Sequence, residues 1–295
     1  MKKLLFFIFL IGIFLMFSDQ GFCWSIGTHL FIGTSILEKA KDIFPLSLYN
    51  LLYEYKDQFL YGTISADILI GKGRRLYPTH CHSWNVGFTI LNCADSPPLK
   101  SYAYGYLAHL ASDVIAHNFF IPNLLQLSKG KGKISHILIE ACVDKEINYS
   151  SKVLAKLVKD PFRDGDKLLQ KVLYKSKINF YFKKSIYNLL NLISLKRPNR
   201  QRKSSIILKN GLKDYLFEML DLSVSVSCDC LINLTNSEIT KYDPMGFENL
   251  KLVKFVKRKA VLNPTYRHIY LFFSPSIFIL NTEVKSNGKG EDRGV

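Results

Sequence analysis

A chain of 295 residues, 48% hydrophobic and 13% aromatic, can bury a sizeable core, which excludes a disordered protein and a small disulfide-stapled domain. Six cysteines without paired CxxC spacings support neither a disulfide framework nor a cysteine-held metal. The formal charge of +16 is uneven: residues 1–150 carry 13 Lys+Arg against 11 Asp+Glu, and residues 151–295 carry 27 against 13. Such a field attracts anionic lipid surfaces or nucleic acid, and an ordinary soluble basic face looks the same.

In chain order, Met1-Lys2-Lys3 and the apolar run 4–17 read as a secretory signal over residues 1–23, cut between Cys23 and Trp24. The run is shorter than the about 18 apolar residues of a membrane span. Export to the outside of the cytoplasm is the expectation, and an uncleaved N-terminal anchor is the alternative. Apolar residues at helical intervals then predict helices over 30–40, 48–60, 102–119, 134–147, 151–158, 167–174, 178–195, 206–232 and 247–261. Pro78, Pro97-Pro98, Pro122, Pro161, Pro198, Pro244 and Pro264 fall between these segments, where helix breakers belong. Residues 224–226 and 277–280 are the best strand candidates, and neither has a clear partner. The fold class is all-α. Residues 24–195 form the expected catalytic domain, 196–285 a basic helical C-terminal region and 286–295 a flexible tail.

The chemistry lies in the first half. His29, His80, His82, His109, His117 and His136 all precede Glu140. His109, Asp113 and His117 are spaced four apart, and each such step on a helix advances about 40° beyond a full turn, so the three line one face. His136 and Glu140 repeat the step, predicting a second helix that offers ligands from the opposite side. One His-xxx-Asp pair alone is usually an ordinary polar pair. Here the neighbours Tyr106, Leu107, Leu110, Val114 and Phe119 embed it in an apolar helix, where an unpartnered carboxylate would cost several kcal/mol. Imidazoles and carboxylates without thiolates suit zinc in a catalytic site that keeps an open position. Asp144, Glu146 and His268 read as surface or structural groups.

Five segments in order resemble the zinc-dependent phospholipase C family. They are Trp24–Gly33, Phe59–Ile68 (with Ala66 in place of a proline), Thr79–Phe88, Gly105–Pro122 and Ser135–Ala141. The likeness covers residues 24–145 and is closest to the branch that includes glycosylphosphatidylinositol-specific phospholipase D. It implies an all-α fold holding two to three zinc ions. Asp67, His82, His109 and Asp113 would hold one ion, and His117, His136 and Glu140 a second. A third would use His29, Asp113 as a bridge and the backbone amine and carbonyl of Trp24, which requires Trp24 to be the mature N-terminus. His80 competes with His82, which occupies the matching place before Ser83-Trp84. The four-residue step to His117 departs from the six of the secreted phospholipases C and matches the phospholipase D-like branch.

The implied function is a phosphodiesterase that hydrolyses phospholipids or related lipids with metal-activated water, Asp67 orienting that water or accepting its proton. A single-strand-directed zinc nuclease of the same fold is one alternative, suited by the basic half; a non-catalytic metal- or membrane-binding protein is another. The chain has neither a Gly-rich phosphate loop nor a G-x-S-x-G elbow. The partners are a phospholipid or anionic membrane surface, or nucleic acid; no protein partner follows from the sequence.

Overall fold

A computed structural model describes residues 24–68, 80–127, 143–144, 146–173, 178, 180–185, 187–188, 212–262 and 273–275. Every regular element among them is helical, so the chain is all-α. Helix α1 (Ile26–Ile43) is capped by Ser25, whose hydroxyl accepts the Thr28 N–H. His29, Gly33, Ile36 and Ala40 recur along it at steps of four and three, so the histidine stands on the stripe that the helix buries.

The expected helix over 48–60 is two helices, α2 (Leu46–Glu54) and α3 (Lys56–Ser65). They break at Tyr55, whose carbonyl accepts the Ser101 hydroxyl at 2.9 Å. A tight turn at Ala66–Ile68 ends α3 and carries Asp67. Ser83 caps α4 (Trp84–Cys93) by accepting the Val86 N–H at 3.3 Å.

Helix α5 (Pro97–Ile115) is the axis of the molecule, with Gly105 to Ile115 buried without interruption. Pro97 and Pro98 do not separate helices, as the sequence suggested. They occupy the first helical positions, where a missing N–H costs nothing and the fixed φ is already helical. After Ile115 the chain widens into a π-helical turn (Ala116–Phe120), closed by the Ile121 N–H on the Ala116 carbonyl, and continues as α6 (Ile121–Leu127). Pro122 therefore lies inside the helical run rather than beyond it. It cannot donate to the Asn118 carbonyl, which instead accepts the Asn249 side-chain amide at 2.9 Å.

Helices α7 (Ser151–Lys159) and α8 (Arg163–Val172) follow, with further helical residues between 178 and 188. Helix α9 (Leu212–Asn233) contains residues 224–226, so the strand expected there is helix. The Val/Ser alternation misled the reading: Met219, Ser223, Ser227 and Cys230, all buried, follow steps of three and four. Helix α10 (Phe247–Leu262) closes the described fold. The other strand candidate, 277–280, lies outside the described residues, as does most of the helix expected over 134–147.

Two glycines set the main packing. A Cβ on Gly62 would lie 2.1 Å from the Tyr102 carbonyl oxygen, and one on Gly105 would lie 2.0 Å from that of Phe59. Helices α3 and α5 thus meet backbone to backbone, as only glycine permits. On the other side of α5, the Ser227 hydroxyl of α9 reaches the Ala108 carbonyl at 3.2 Å. One continuous core joins α1, α3, α5 and α9, across the expected boundary at 195.

Candidate metal centre

Four elements aim polar groups at one point inside this core: His29 from α1, Asp67 from the turn after α3, His82 from the loop before α4, and His109 and Asp113 from α5. All five side chains are buried. His82 Nε2 lies 3.2 Å from Asp67 Oδ1, 3.3 Å from Asp113 Oδ2 and 3.1 Å from His109 Nε2. His109 Nε2 lies 3.1 Å from the same Asp113 oxygen. His29 Nε2 sits 3.3 Å from Asp113 Oδ1 and 3.9 Å from Asp67 Oδ2.

The outer edges of the rings decide what the inner edges present. The Thr63 carbonyl, 2.8 Å from His109 Nδ1, can only accept, which places the proton on Nδ1 and leaves Nε2 a lone pair. Ser112 donates its hydroxyl to the His109 carbonyl at 2.9 Å, so its oxygen accepts from His29 Nδ1 at 3.3 Å. The Nε2 atom of His29 is then also a lone pair. Carbonyl and hydroxyl partners on the outer nitrogen are what orient metal-binding imidazoles.

Lone pairs converging on carboxylate oxygens in a dry pocket call for a positive charge between them. His29 Nε2 and both oxygens of Asp113 are buried and form no aligned hydrogen bond among the described residues. Burial, and next His109, push His29 below its ordinary pKa. Burial opposes ionisation of Asp113 too, but His109 and His29 hold its carboxyl well below the usual range. Burial likewise lowers His109, and the Asp113 and Asp67 carboxylates outweigh it, leaving the imidazole above its ordinary value. Tetrahedral zinc with bonds of about 2.0–2.2 Å separates its ligand atoms by roughly 3.3–3.6 Å. The donor separations here, 3.1–3.9 Å, bracket that spacing. The residues present therefore fit zinc.

His80 differs from His82. Its Nδ1 accepts the His82 backbone N–H at 3.1 Å, so that nitrogen serves the loop. His117 lies on the π-helical turn, not on the α-helix that carries His109 and Asp113. Its Nδ1 donates to the Met245 carbonyl at 2.6 Å, which makes Nε2 the acceptor nitrogen. Burial holds its pKa below the ordinary value, against the raising effects of the Asp113 charge and of the Met245 hydrogen bond.

Trp24 is buried beside α5; its indole N–H donates to the Ser112 carbonyl at 3.0 Å and its ring packs on Phe120 at 4.9 Å. His136, Glu140 and His268 lie outside the described residues. Asp144 corrects the sequence reading: it is not a surface charge. It is half-buried and accepts hydroxyl hydrogen bonds from Ser25 and from Thr28, the latter at 3.0 Å, at the start of α1. Burial raises its pKa, and the two hydroxyls lower it. Glu146 does pair near the surface, 3.6 Å from Lys213.

The sequence reading missed Thr63, Ser112 and Met245, the groups that orient His109, His29 and His117. Two of them act through backbone carbonyls, which leave no signature in residue type.

Compared with family models, residues 28–215 match zinc dependent phospholipase C. The chain belongs to this family. No curated protein and no solved structure matched in the parallel searches. Membership makes the protein a zinc-dependent phosphoester hydrolase of the phospholipase C family, and the buried His/Asp pocket holds the donors such chemistry needs.

Proposed function

We propose that this family member hydrolyses the phosphodiester of a membrane lipid outside the cytoplasm, using the pocket around Asp113 to hold two to three zinc ions. The observation that carries the reading is the buried meeting of His82 Nε2 and His109 Nε2, 3.1 Å apart over the Asp113 carboxylate. Asp67, His82, His109 and Asp113 would hold the first ion. Asp113 presents Oδ2 to that set and Oδ1 to His29, the arrangement a bridging carboxylate needs. His117 would hold the second with His136 and Glu140, which lie outside the described residues, and His29 would hold the third with the backbone of Trp24 if secretion cuts before it.

Zinc in such a site supplies an acidified water and neutralises phosphoryl oxygens. The chain's own contribution is orientation and proton transfer. Thr63 and Ser112 keep the imidazole protons on the outer nitrogens, and the apolar walls exclude bulk water. Asp67 faces His82 with one oxygen at 3.2 Å and holds the other at a longer 3.9 Å from His29. Asp67 would orient the attacking water or accept its proton.

Packing around the pocket supports lipid over single-stranded nucleic acid. Base stacking needs exposed aromatic faces. Among the described residues, Trp84 donates its indole N–H to the Tyr242 carbonyl at 2.7 Å, Phe119 packs on Tyr242 and Phe120 on Trp24, so these rings are already used; Tyr77 lies outside the described residues. Purified protein, zinc-loaded or chelated, should be assayed in parallel on phospholipid vesicles and on single-stranded oligonucleotides. Zinc-dependent release of phosphorylated product from lipid alone is expected, with at least two zinc ions per chain. Cleavage of oligonucleotide alone would make it a nuclease, and inactivity on both would leave a metal-binding protein without turnover. N-terminal sequencing of the exported protein tests the role of Trp24.

A further inference from the structure

Helix α10 begins at the loop that holds His117 and leaves one face unburied. Phe247, Glu248, Lys251, Leu252, Lys254, Phe255 and Arg258 are exposed on it, Glu248 lying 3.8 Å from Lys251, whereas Leu250, Val253 and Val256 are buried. At about 100° per residue the exposed positions share one arc and the buried three lie opposite. A single exposed Leu or Phe needs no explanation. This arc carries three large apolar side chains, 38%, 43% and 54% exposed at Phe247, Leu252 and Phe255, interleaved with cations. Glu248 is the one acidic residue of the helix, against Lys251, Lys254, Lys257, Arg258 and Lys259.

That mixture matches one kind of surface. At a bilayer interface, apolar rings enter the acyl boundary while ammonium and guanidinium groups meet anionic headgroups. A phosphate backbone would use the cations but give Leu252 and Phe255 nothing to bury against, and a convex helix offers no groove to a strand. The placement suits the chemistry as well. A Cβ on Gly246, the residue before α10, would collide with the His117 backbone, so the start of the helix abuts that ligand. His82 and His117 are each 6% exposed, against 1% for His29 and His109, so the His117 side, next to α10, is slightly less deeply buried.

We propose that the exposed face of α10 docks on anionic phospholipid bilayers and sets the His82–His117 edge of the site against the headgroups. The proposal rests on the lipid-phosphodiesterase reading, but its test measures binding without turnover, so the two fail separately. The full chain, zinc-loaded, should sediment with vesicles of phosphatidylglycerol and phosphatidylcholine, and far less with phosphatidylcholine alone. Lys254→Gln with Arg258→Gln should weaken that partition roughly 25-fold, since each basic residue near an anionic surface contributes about five-fold. Leu252→Ser with Phe255→Ser should weaken it roughly ten-fold through lost apolar burial. Unchanged melting temperature and zinc content in both pairs would show that folding is intact. Unchanged partition in either pair overturns the proposal. If the charge pair alone lost vesicle binding and also lost affinity for a single-stranded oligonucleotide, the face would be a nucleic-acid surface and the proposal would fall.

Discussion

The two edges of the pocket are built by different means. His29, Asp67, His109 and Asp113 stand on α1, the turn after α3 and α5, and α3 and α5 are locked together by direct backbone contact at Gly62 and Gly105. His117 stands on a widened turn and is held by the loop 242–246, through the Met245 carbonyl and a glycine at φ +55°. The first edge inherits the rigidity of a close-packed core. The second depends on a few hydrogen bonds with a segment beyond the family match: His117 Nδ1 donates to the Met245 carbonyl, the Asn118 amide to the Asp243 carbonyl and the Asn249 amide to the Asn118 carbonyl. Substitutions at the glycine contacts of the first edge should therefore act on folding and on the whole centre, and those at the second on His117 alone.

Gly105→Ala should have the largest effect. Its new Cβ would meet the Phe59 carbonyl oxygen at 2.0 Å, where backbone, not a flexible side chain, must yield. A loss of about 3 kcal/mol or more is expected, read as a large drop in thermal midpoint or as insoluble expression. A near wild-type midpoint would mean that α3 and α5 do not meet as described.

Asp113→Asn comes next and separates chemistry from folding. The amide keeps the shape but removes the charge that faces three imidazoles. Hydrolysis should become undetectable and zinc content should fall by at least one ion per chain, with secondary structure by circular dichroism retained. Retained activity would remove Asp113 from the centre.

At the second edge, Gly246→Ala forces a side chain into a left-handed backbone at a cost of about 1–2 kcal/mol, and its Cβ would press on the His117 backbone at 2.3 Å. Zinc titration should show one site weakened while the rest hold. Equal weakening of every site would mean that the two edges are not independent.

The mildest change is Ser112→Ala, which removes the hydroxyl that orients His29 and leaves the ring in place. Loss of such an orienting partner typically costs 10–100-fold in metal affinity. Competition with a calibrated chelator would measure it, and Ser112→Thr, which keeps the hydroxyl, should recover most of the loss.

Regular local structure was legible in residue order because helical burial repeats every three or four residues. That repeat marked the central helix and the step from His109 to Asp113, whereas the helix expected over 30–40 begins at Ile26 and so also carries His29. It failed where a local rule had two outcomes. Pro97-Pro98 can end a helix or start one, and only the open N-terminal turn of α5 decided for the start. The Ser/Val alternation at 224–226 fits a strand, until burial against α5 selects the helix.

The candidate ligand types, their order and the family they resemble were thus determined by the sequence alone, since residue identity and spacing carry that information. The direction each ligand faces was decided only by tertiary structure. Protons on His109, His29 and His117 are placed by the Thr63 carbonyl, the Ser112 hydroxyl and the Met245 carbonyl. Two of the three are backbone atoms that every residue possesses. Their position depends on how closely helices approach, which two glycines permit at one edge and one left-handed glycine permits at the other.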